Sequence, residues 1–137
     1  MGRAAIGFSV LSAVVVLGAC GDDGPTGAPV TTTSGNPVAT IQVVDETFKV
    51  ELATPELADH ARQLLAGEAV AGIPIGTVVR DDPGVNAPWT WHIDPATLEF
   101  ADMTIEVCDG LPSFVEDRTV TSDQYCPWSA KVIAVDG

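Results

Sequence analysis

A nearly unbroken apolar run from Ile6 to Leu17 (IGFSVLSAVVVL), closed by Leu17-Gly18-Ala19-Cys20, limits what the rest of this chain has to fold with. A permanent membrane helix needs about 20 consecutive apolar residues, so this run is too short to be one. It reads as a targeting segment, set aside before any fold is considered. The stretch that follows, 21–39 (GDDGPTGAPVTTTSGNPVA), has no hydrophobic period and is rich in Gly, Pro, Thr and Ser. Such a composition buries too little apolar surface to offset the entropy of ordering it, and is expected to be a flexible tether. One domain is therefore expected, over residues 40–137.

Leu-Gly-Ala-Cys resembles the bacterial lipobox. In signals of that kind the peptide is cut before the cysteine, whose thiol then carries a diacylglycerol. An ordinary signal peptide with a small-residue cleavage site is the alternative. The lipobox reading assigns residues 1–19 to the signal peptide and 20–39 to the lipidated Cys20 and its tether. Each buried methylene contributes about 0.8 kcal/mol, so an acylated Cys20 would hold the chain on a membrane. The expected location is the bacterial cell envelope, lipid-anchored and facing the extracytoplasmic side.

The whole chain has 6 Lys+Arg against 19 Asp+Glu. Cleavage before Cys20 removes Arg3, leaving five cations against the same 19 acids, a formal charge of −14. No Lys/Arg cluster exists, which excludes nucleic-acid binding through a basic surface and a polybasic membrane-surface module.

Phe48 to Leu52 alternates apolar and polar, the period of a half-buried strand. Thr54-Pro55 follows as a helix start, with Leu57, Ala61, Leu64 and Leu65 as its apolar stripe and Gly67 as its stop. A second strand is expected from about Ile75 to Arg80, ended by Asp81-Asp82-Pro83-Gly84. Trp89-Thr90-Trp91-His92-Ile93 alternates again and puts Trp89, Trp91 and Ile93 on one face. Asp94 to Thr97 fits a type I turn. Leu98 opens a return strand in which Met103, Ile105 and Val107 alternate with polar residues, after a phase slip at Phe100-Ala101 that suggests a bulge. Pro112 opens a short helix with Phe114 and Val115 facing in, and a last strand runs through Val132, Ile133 and Val135. The order predicts an α+β fold with a mostly antiparallel sheet and two helices on one face, ferredoxin-like or a variant of it.

Trp-x-Trp-His-x-Asp-Pro at 89–95, Phe-Ala-x-x-x-Ile-Glu-Val-Cys-Asp-Gly at 100–110, then Pro-Ser-x-Val-Glu and Cys-Pro-Trp, resemble an N-terminal domain family named after a eukaryotic calmodulin-binding protein and also found as short bacterial proteins. The likeness runs from about Phe48 to Val135 and brings no catalytic residue with it. Calmodulin itself is not an expected partner. Its targets are usually basic amphipathic helices, whereas the helix from Pro55 carries Glu56 and Asp59 and the helix from Pro112 carries Glu116 and Asp117.

With Cys20 taken by lipid, Cys108 and Cys126 are left as a pair in an oxidising compartment, where bridging is the default. A strict split βαβ topology would put them at opposite ends of the sheet, and the bridge is the expectation kept. His92, two residues before Asp94, is the candidate for acid/base work, against a merely hydrogen-bonded strand histidine. Thr90 and His92 share the face of a possible ligand surface. Asp81 to Asn86 lacks the spacing of a calcium loop, and no metal site is expected. Without a phosphate-cradling glycine loop, no cofactor is expected either. The three tryptophans are read as core rather than as a sugar-stacking platform. The leading function is a non-catalytic, membrane-anchored binding module for an envelope or extracellular protein or a small ligand. The alternatives are a small hydrolase using His92 with nearby carboxylates, and a protease-inhibitor-like domain suggested by fold analogy alone.

Overall fold

Val38-Ala39-Thr40-Ile41-Gln42-Val43 alternates strictly, and in the computed structural model, which describes residues 35–137, it is the first strand, β1 (Val38–Val43). The strand begins inside the segment read as tether. Local composition made that stretch look unable to order itself, but β1 is a central strand, paired on both sides. β2 (Glu46–Glu51) and β7 (Ala130–Asp136) flank it, both antiparallel. The signal segment, Cys20 and most of the tether lie outside the described residues.

One face of this three-stranded sheet is apolar: Ala39, Ile41, Val43, Phe48, Val50 and Val132 are buried on it. α1 (Pro55–Leu65) starts as its sequence dictates, with the Thr54 hydroxyl accepting from Leu57 N (3.2 Å) and Pro55 in its first turn. It packs against β7 and buries Ala58 and Ala61. Leu65 is exposed rather than part of the stripe.

A second, antiparallel sheet is built on β3 (Ile73–Arg80). β4 (Trp91–Ile93) pairs with Val78–Arg80, β5 (Glu99–Ala101) with Ile73–Ile75, and β6 (Gln124–Tyr125) with Gly76–Thr77. The expected hairpin is therefore corrected. β4 and β5 both run antiparallel to β3, hence in the same direction as each other, and the Asp94–Thr97 turn does not reverse the chain. The turn itself forms, with Thr97 N donating to Asp94 O (2.9 Å). It is fastened to the middle of β3, because Asp94 N donates to Thr77 O (2.8 Å) and Thr77 N to the Thr97 hydroxyl (2.9 Å).

The expected continuation of β5 through Met103, Ile105 and Val107 is also overturned. These side chains are 80%, 65% and 66% exposed. The physical reason is register: Ala101 already lies opposite Ile73, the first residue of β3, so the chain beyond it has no strand to pair with. It turns instead through a short 3-10 segment (Glu106–Cys108) into α2 (Pro112–Glu116). Val115 is fully buried there, while Phe114, expected to face in, is exposed. The Glu46 carboxylate accepts from Ser113 N (2.8 Å) and its hydroxyl (2.7 Å), and the Arg80 guanidinium donates to Val115 O (2.8 Å) and Val120 O (3.0 Å). Both ends of α2 are thus satisfied by a side chain of the sign its dipole favours.

The class is α+β with antiparallel sheets and two helices feeding one core, consistent with a variant of the ferredoxin-like layout. The two sheets meet in an aromatic trio. Phe48 comes from the first, Trp91 and Tyr125 from the second, with ring centroids 5.3–5.8 Å apart. Beside them lies the buried Asn86, whose Oδ1 accepts from Lys49 N (2.7 Å) and whose Nδ2 donates to Trp91 O (2.8 Å). One amide thereby joins β2 to β4. Asn86→Ala leaves a backbone donor and a backbone acceptor unpaired, and is expected to cost about 2 kcal/mol in urea unfolding with the far-UV spectrum unchanged.

Candidate functional site

The residues singled out for chemistry are committed to the fold. His92 Nδ1 lies 2.7 Å from the Asp82 carbonyl oxygen, so Nδ1 carries the proton and donates. The Asp82 carboxylate stands 3.9 Å from the same nitrogen, and the His92 side chain is only 15% exposed. Gly84 (φ +50) passes over the ring so closely that a Cβ there would come within 2.9 Å of it. The Asp94 carboxylate accepts from Ala96 N (3.0 Å) in its own turn. Thr90 donates both its amide and its hydroxyl to Glu116 (3.0 Å each). His60 stacks on Phe100 (4.9 Å) and bonds the Ala71 carbonyl (2.6 Å).

Cys108 and Cys126 form a disulfide, with Cα atoms 5.0 Å apart. Their bridge is the centre of a larger clamp. Cys126 N donates to Cys108 O (2.7 Å), Tyr125 Oη to Gly110 O (2.8 Å), Trp128 N to the Asp109 carboxylate (2.8 Å), and Trp128 Nε1 to the Thr104 hydroxyl (2.6 Å). One covalent and four hydrogen bonds hold segment 104–110 against segment 125–128. Strict split βαβ topology gives way to the bridge, as its geometry requires.

The clamp keeps apolar side chains in water. Ile105 and Val107 of the first segment, Met103 just before it and Trp128 of the second, 45% exposed, all stand in solvent. Trp128 is thus corrected from core to surface, while Trp91 is buried and Trp89 half-buried with its Nε1 on Thr47 O (2.8 Å). A cavity of about 280 Å³ opens between the segments, lined by Ile73, Asp102, Met103, Thr104 and Trp128. Sequence reasoning missed this ridge because Met-Thr-Ile-Glu-Val alternates as a strand does. The signal that could have found it is the expected bridge, which forces the chain to turn at Cys108.

Burial, with the Asp109 and Glu46 carboxylates adding to it, pushes the Tyr125 phenol well above its ordinary value near 10. A group whose pKa is raised by folding adds stability below its unfolded pKa and loses it as pH climbs past that value. Tyr125 is the only tyrosine. Its phenolate absorbance is therefore expected to appear above pH about 10 only together with unfolding, followed by circular dichroism in the same titration.

One family model, the BP-74 N-terminal domain, matches residues 36–136, the family suggested by the motifs at 89–95 and 100–110. No curated protein and no solved structure matches the chain.

Proposed function

The chain belongs to the BP-74 N-terminal domain family, and we propose that it works as a non-catalytic binding module, carried on the outer side of a bacterial membrane by lipidated Cys20. The observation that carries this reading is the clamped ridge of Met103, Ile105, Val107 and Trp128. Large apolar side chains left exposed mark interaction sites, and here Met103 and Trp128 line one cavity beside the disulfide clamp. Leu17-Gly18-Ala19-Cys20 supports the anchor.

The anchor and the module are tested separately. Mass spectrometry of the mature chain should find diacylglycerol on Cys20, and Cys20→Ala should leave the precursor unprocessed; an unmodified Cys20 on a soluble mature chain overturns the anchor. His92→Ala should cost about 1 kcal/mol, one lost hydrogen bond, and leave capture of envelope proteins intact. Met103→Asp with Ile105→Asp should abolish that capture without changing the melt. Hydrolytic turnover that disappears in His92→Ala would replace the module with an enzyme.

A further inference from the structure

We propose that the ridge docks a cationic amphipathic segment of a partner protein, its apolar face on Met103, Ile105, Val107 and Trp128 and its Lys/Arg side chains on Asp102 and Glu106. The proposal rests on the reading of the chain as a binding module and names the partner's chemistry.

Charge selects the occupant. Between Arg80 and Lys131 the chain holds ten acids and a single cation, Arg118. Asp102 and Glu106 are exposed and interleaved with the apolar residues of the ridge. A second copy would bring the same acids face to face, since residues 35–137 carry five Lys+Arg against 17 Asp+Glu. Like charges opposed across an interface suppress association. An anionic bilayer is repelled for the same reason. A segment pairing large apolar groups with Lys or Arg meets both halves of the surface at once. Met103 suits such a role, because its unbranched thioether adapts to differently shaped apolar partners. The backbone carrying Ile105, Val107 and Trp128 needs little ordering on binding, as the disulfide and its hydrogen bonds already fix both segments.

The test titrates the full chain, held in phosphatidylcholine nanodiscs, against a fluorescent amphipathic helix of Leu and Lys, with empty nanodiscs as blank. A Leu/Glu helix of the same apolar pattern is the comparison. The Leu/Lys helix is expected to bind at least about tenfold more tightly, and to weaken as salt rises. Met103→Ser with Ile105→Ser should weaken it about tenfold by removing anchors, as should Asp102→Lys with Glu106→Lys, the latter also abolishing the salt dependence. All four positions are exposed, so unchanged melting curves will certify that the variants fold. Equal binding of the two helices, or indifference to both pairs of substitutions, overturns the cationic partner. A dimer in sedimentation that Met103→Ser and Ile105→Ser dissolve, or uptake by phosphatidylglycerol vesicles that they abolish, also overturns it but keeps the ridge as a binding surface. If no helix, second copy or vesicle engages the ridge, the binding-module reading falls with it.

Discussion

Trp91→Ala is expected to remove about 3–5 kcal/mol of stability, measured by urea unfolding, enough to leave little of a typical domain's margin. Trp91 is essentially inaccessible and touches both other members of the trio, Phe48 at 5.8 Å and Tyr125 at 5.5 Å between centroids. Truncation would open a cavity where the two sheets meet, and neither sheet can collapse into it without losing the Asn86 bridge. A companion variant separates packing from polarity. Among the described residues, the indole Nε1 of Trp91 is buried without a hydrogen-bond partner. Trp91→Phe keeps an aromatic ring and removes that unpaired donor, whose burial costs about 1–3 kcal/mol. It should therefore be much milder than Trp91→Ala. Equal losses for the two would mean that shape, not burial, governs the site.

Reduction of Cys108–Cys126, or the paired change to Ser, is expected to cost about 3 kcal/mol by freeing an 18-residue separation in the unfolded chain. For a domain of this size that lowers the melting temperature by roughly 12–24 °C. Melts with and without reductant check it, and coincident curves would refute it. The larger loss should fall on the ridge, since segment 104–110 would keep only its hydrogen bonds to segment 125–128. Amide exchange should show Thr104 to Asp109 opening in the reduced domain while β1 stays protected.

Periodic segments with end signals were legible from residues alone. Thr54-Pro55 opens α1 where its capping chemistry says it must, and Trp91 and Ile93 fall on the buried face as alternation demands. Other features were not legible, for non-local reasons. Val38–Val43 is ordered by partners on either side, one of them at the far end of the sequence. Met103, Ile105 and Val107 have the period of a strand but no partner left on β3. Asn86 is polar in a loop of acids and prolines, and nothing local marks it as the amide that bridges two sheets. The motif residues meanwhile turn out to be builders. Trp91 fills the core, His92 supports the Asp82–Gly84 turn, Asp94 caps its own turn, and Cys108 anchors the clamp. The family resemblance therefore speaks to architecture, while the exposed ridge carries the proposed function.

Asn86 also ties the molecule to time. Asparagine ages by losing its amide to an attack from the following backbone nitrogen, which the side chain must swing round to meet. Held at both ends by Lys49 N and Trp91 O, Asn86 cannot make that swing while the sheets stay together. Each excursion to the open chain releases it. The aspartate that results would set a carboxylate oxygen against the Trp91 carbonyl, two acceptors facing each other where a donor belongs. A molecule damaged in this way would not close properly again, so unfolding becomes irreversible one chain at a time. The pace of that loss is then set by how often the two sheets part, because Asn86 is held only while they are together.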